Sequence, residues 1–146
     1  MNATISISVE RVLDSVYAHS AAEIVSSGVE RPEVLGRNHR DMLRVITRDT
    51  IAGLAFTLAH IVEDTNVGDT PIPDVITLDL RLPEYLSLAM LQACVETAVA
   101  AGVLAQAWSG SDGPMAERYS KAYSMSLKSI EIHAGGSIPG SITPTA

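Results

Sequence analysis

The residues able to do chemistry in this chain are few and dispersed. Its four histidines are His19, His39, His60 and His133. His60 and Glu63 stand three apart, a spacing that puts both on one face if the segment is helical. Two ligands do not complete a metal site, and no second Glu-x-x-His or His-x-x-x-His motif supplies the rest. His39 lies beside a helix N-cap position, His19 falls within the first helix, and His133 falls near a helix end, where it complements the dipole. Cys94 is the single cysteine, which excludes a disulfide framework and any multi-cysteine zinc site. Its neighbours Leu91, Ala93 and Val95 predict a buried structural thiol. Ser109-Gly110-Ser111-Asp112-Gly113 is rich in small residues but lacks the lysine of a phosphate loop, so it reads as a turn between helices.

The carboxylates Glu23, Glu63, Asp64, Glu96, Glu117 and Glu131 are spread over separate elements, and spacing assigns no acid–base pair. Glu96 is the odd one, a carboxylate among small apolar residues that needs a cationic or polar partner. No catalytic motif is present, and neither enzyme activity, a metal nor a cofactor is expected. The rival reading from that class, a helical-bundle enzyme or metal protein, would be favoured by bound metal and by a pocket holding Glu96 with His60.

Composition narrows the remaining choices. A chain of 146 residues holds one domain, and its 47% apolar content argues against disorder. Only 4% is aromatic, so the core is built from small side chains that let helices approach closely but bury little area each. Such a subunit gains from partners that cover its surplus apolar surface. The net charge of −7 argues against gripping nucleic-acid phosphates. Arg37, Arg40, Arg44 and Arg48 form the densest basic set, but Asp41 and Asp49 interleave them, as on a solvated or interface helix face. No secretory signal is visible at Met1-Asn2-Ala3-Thr4. From Leu86 to Ala107 the chain is apolar enough to span a bilayer. Glu96 at the midpoint argues for a helix buried by its own bundle and by neighbouring subunits, with no membrane.

These residues must be positioned by mainly α-helical elements, a bundle of about four helices with a short two-stranded β element or extended arm. Ile5, Ile7 and Val9 alternate with polar residues, as do Ile76, Leu78, Leu80 and Leu82, which predicts two strands that pair with each other or with a neighbouring subunit. A first helix spans Val9 to Ser26 on the face of Val9, Val12, Leu13, Val16, Ser20 and Ile24, and Gly28 stops it. A second helix begins after Asn38 as N-cap. Its apolar positions Met42, Val45, Ile46, Ala52, Ala55, Leu58, Ala59 and Val62 keep helical spacing to about Asp64. Pro83 opens a third helix that ends near Trp108. Pro114 opens a fourth with Tyr119, Tyr123, Leu127 and Ile130 on one face, ended by Gly135-Gly136. Residues 1–136 then form one helical domain with a β/loop arm near 65–83, and 137–146 form an extended tail.

The order of these elements resembles small virion proteins of tailed phages and prophages. The resemblance rests on the alternating strand Ile76-Thr77-Leu78-Asp79-Leu80-Arg81-Leu82-Pro83 running into a helix, on Ala107-Trp108 closing it, and on Ala116, Tyr119, Ala122 and Ile130 in the last helix. Head–tail connector (adaptor) proteins are similar in having a helical bundle with an extended arm or hairpin between helices. The resemblance implies a neck subunit in the virion, made in the host cytoplasm. It would form a homo-oligomeric ring that joins portal to tail or neck proteins and passes DNA without reading its sequence. The basic tail usual after the last helix is replaced here by an uncharged one, which leaves open the virion layer. Contacts are expected at Ile76, Leu78, Leu80, Leu82, Ala98, Gly102, Trp108, Ile138 and Ile142. The alternatives are another virion component, such as a tail-completion or capsid-decorating protein, and a helical regulatory binding module.

Overall fold

In the computed structural model, described for residues 1–27, 35–110 and 113–134, the chain is mainly helical with a small antiparallel sheet. The order is β1 (Asn2–Ser8), α1 (Val9–Ser27), a 3₁₀ turn (Arg37–His39), α2 (Arg40–Thr57), β2 (Val62–Thr65), β3 (Val75–Arg81), α3 (Leu88–Trp108) and α4 (Gly113–His133). Gly28, most of the following loop and the tail with Ile138 and Ile142 lie outside the described residues.

The two strands expected from alternation pair with each other over their full length, from Asn2 opposite Arg81 to Ser8 opposite Val75. Their apolar faces, Ile5, Ile7, Ile76, Leu78 and Leu80, are buried against the helices. The sheet has three strands, not two, in the order β1-β3-β2. The third comes from the end of the expected second helix. After Thr57 the chain makes a tight turn, Ala59 N–H donating to Phe56 O and Ile61 N–H to Leu58 O. The β-branched Val62 and Thr65 then satisfy the free edge of β3. His60 therefore lies exposed in a turn and Glu63 on a strand, so they share no helical face.

Two helix starts also differ from the spacing-based expectation. Asn38 lies inside the 3₁₀ turn, and His39 holds the N-cap position of α2. Pro83 does not open α3. Leu82 N–H is tied to Met1 O, and Leu86 N–H closes a turn on Pro83 O. Ser87 is the N-cap instead, its hydroxyl accepting from Met90 N–H.

α3 is the central element, in contact with α1, α2, α4 and β1. By length and composition it could cross a membrane. In this fold Leu91, Val95, Val99, Val103, Leu104 and Trp108 are enclosed by the bundle. The exposed edge of β1 is covered where it meets α3: the Gln92 amide donates to Ser6 O and accepts from Ser6 N–H. That side chain stands in for a missing strand and blunts an edge open to pairing.

Candidate interaction surface

α2 carries two apolar faces. Leu43, Thr47, Ile51, Leu54 and Leu58 are buried in the core, and Thr47 satisfies its buried hydroxyl by donating to Leu43 O at 2.7 Å. On the outer side, Met42, Val45, Asp49, Ala52 and Phe56 recur at steps of three and four, the spacing of a coiled-coil seam. Met42 is 45%, Val45 41% and Phe56 82% exposed. The apolar set read from sequence thus splits: Ala55 and Leu58 face inward, Met42 and Val45 outward. The interleaving of two stripes, both advancing by steps of three and four, was the signal available.

The outer stripe is held in place from behind. Arg44 is only 14% exposed and donates to Glu10, to Asp74 and to Ile72 O, while Arg40 donates to the same Glu10 oxygen at 2.6 Å. The hydrogen bond and charge of Glu10 raise the Arg40 pKa above its ordinary value. Arg40 and Arg44 therefore clamp α2 to α1, and Arg44 ties it also to the loop before β3. Arg48, one step from the stripe, bonds Asp49 at 3.0 Å.

Beside the stripe a cleft of about 630 Å³ separates α2 from α4, with Gly102 of α3 at its floor. A Cβ on Gly102 would lie 2.7 Å from Thr50 Cγ2 and 2.9 Å from Tyr123 Cδ1, so only glycine permits this helix spacing. On the opposite side of α3, the floor between α1 and α4 carries the short side chains of Ala93, Cys94 and Thr97 in its middle and the larger Leu86, Met90 and Ile130 toward the start of α3. Hollows of about 270, 230 and 160 Å³ meet there, joined through Ala93 and Thr97 and through Cys94 and Ser129. They form a trough with α1 as one wall and α4 as the other. It closes at one end where Glu23 accepts from Arg118 and from the Tyr119 hydroxyl, and where His19 stacks edge-on to Tyr119. Glu96 finds the partners its position demanded, Arg11 at 3.4 Å and Gln92 at 3.0 Å.

Cys94 is exposed in this trough, against the expectation of a buried thiol. Leu91, Val95 and Ala98 turn inward, and Cys94 lies one step round the helix from them. Of the expected contact residues, Ile76, Leu78, Leu80, Leu82, Ala98 and Trp108 are buried within the chain's own core, and Gly102 is half-buried at the cleft floor. Among the described residues, the large apolar side chains left exposed include Met42, Val45, Phe56, Tyr85, Met90 and Met125. Among the described residues, no three His, Cys, Asp or Glu side chains converge as metal ligands. His39 Nδ1 accepts from Gly36 N–H, and His133 Nδ1 contacts Ser129 O. Comparison with known family models, with curated proteins and with solved structures gives no match.

Proposed function

We propose that the chain is a self-associating structural subunit, and that its setting is the neck of a tailed phage, in a ring joining portal to tail. The observation that carries self-association is the second apolar stripe of α2, with Phe56 82% exposed at its end. A lone copy gains nothing by presenting large apolar side chains at coiled-coil spacing, whereas a partner would bury them.

Asp49 favours a ring over a simple dimer. It sits midway between Met42 and Phe56, so a two-fold pairing that is parallel or centred on this position would bring two Asp49 carboxylates together, each with its own Arg48 as counter-charge. A heterologous contact avoids that clash, and heterologous contacts that close produce rings. The phage setting rests on the resemblance in element order. The net charge of −7 suits a passage through which DNA slides without adhering.

The test is light scattering on purified protein over a range of concentrations, followed by negative-stain imaging. Closed rings of uniform size support the reading, and copy number per virion separates a neck ring from a decorating or tail-completion protein. A strict monomer at high concentration, alone and with a portal, overturns it. A monomer that binds one amphipathic helix of another protein would point to the regulatory-module alternative.

A further inference from the structure

We infer that the outer stripe of α2 in one copy docks head to tail in the trough between α1 and α4 of the next copy; this rests on the self-association proposed above.

Shape is the first argument. The stripe presents large side chains, Met42, Val45 and Phe56, while the trough is floored by Ala93, Cys94 and Thr97 and edged by Ser126 and Ser129. Long side chains entering spaces left by short ones is how helices pack closely.

Charge is the second argument. The centre of the stripe carries the pair Arg48–Asp49, and the wall of the trough carries the pair Arg11–Glu96. The Arg11 side chain is 73% exposed and the Asp49 side chain 63%, so both can take a further partner. Setting one pair against the other places Asp49 near Arg11 and Arg48 near Glu96. A second copy thus supplies a counter-charge to each of the two exposed side chains, Arg11 and Asp49. The same arrangement leaves every copy with one stripe and one trough to offer, which is the condition for a ring.

Cys94 makes the contact testable, because it is the only cysteine and lies on the trough floor. Val45→Cys and Ala52→Cys are each oxidised with oxidised glutathione and run on a non-reducing gel. Head-to-tail docking joins the new thiol of one copy to Cys94 of the next, giving a ladder that runs past dimer. In a Cys94→Ser background the ladder is lost. Dimers alone in the presence of Cys94, or no cross-link in a protein that light scattering shows to be oligomeric, overturn this contact and leave self-association standing. A monomeric wild-type protein overturns both. As a second readout, Asp49→Arg and Arg11→Asp each reduce the oligomeric fraction, and the double variant restores it. If both single variants assemble as well as wild type, the pairing of these charges is wrong.

Discussion

At the residue scale, the bundle depends on Gly102 having no side chain. The approach of Thr50 and Tyr123 leaves no space for a Cβ, and Thr50 is β-branched and cannot swing its methyl far. Gly102→Val should therefore destabilise the fold by about 1–3 kcal/mol, read as a lower urea midpoint. Three phenols report on packing, Tyr123 on the contact at Gly102 itself. Burial raises the pKa of Tyr17, Tyr119 and Tyr123, with Glu10 adding to the effect at Tyr17 and the hydrogen bond to Glu23 adding to it at Tyr119. The folded state thus holds these protons at a pH where the unfolded chain, at about 10, has begun to release them. Their contribution to stability is present below that pH and is lost as pH rises through the higher folded values. Denaturation midpoints measured from pH 9 upward should fall, and the fall should shrink in Tyr123→Phe. Unchanged midpoints in wild type would contradict the burial of these rings.

At the element scale, stability comes from ties between segments far apart in sequence. Glu10 is the acceptor that fastens both Arg40 and Arg44, so Glu10→Ala should cost about 1 kcal/mol and loosen α2 from α1. Hydrogen exchange of α2 amides would detect the loosening. This scale also shows what the sequence made legible. β1 and β3 could be read because Ile5, Ile7, Ile76, Leu78 and Leu80 alternate strictly, a pattern no helix buries. α4 could be read because Pro114 and the Tyr119, Tyr123, Leu127 face mark its start and its side. β2 could not, because Val62-Glu63-Asp64-Thr65 is four residues long and polar in the middle. It is a strand only because β3 offers an unpaired edge. The start of α3 was misplaced for a similar reason: Pro83 has good first-turn chemistry, but the tie of Leu82 to the N-terminal strand holds it in a turn. The two faces of α2 were merged because apolar residues on either side of a helix can all satisfy a spacing of three or four. Cys94 and the trough around it depend on where α1 and α4 stop covering α3, which is a property of packing and not of local sequence.

At the scale of the whole molecule, the core is closed and the surplus lies outside it. Sheet and helices bury the inward-facing strand residues Ile5, Ile7, Ile76, Leu78 and Leu80, and among the described residues the exposed large apolar side chains include Met42, Val45 and Phe56 on α2 and Met90 in the trough. Replacing Met42 and Phe56 together by Lys should leave the circular dichroism spectrum unchanged, because neither side chain belongs to the core. It should shift the light-scattering mass to that of one chain. A variant that still assembles would mean that a different surface joins the copies. The pairing of β1 has a consequence for how such a molecule is made. Asn2 meets Arg81 and Ser8 meets Val75, so a chain growing from the ribosome exposes its first strand long before the strand's mate is synthesised. Until then Ile5 and Ile7 trail as a sticky ribbon on a polysome crowded with identical nascent chains. Fast elongation through the intervening segment, or a chaperone holding β1, would protect the yield of correctly closed copies.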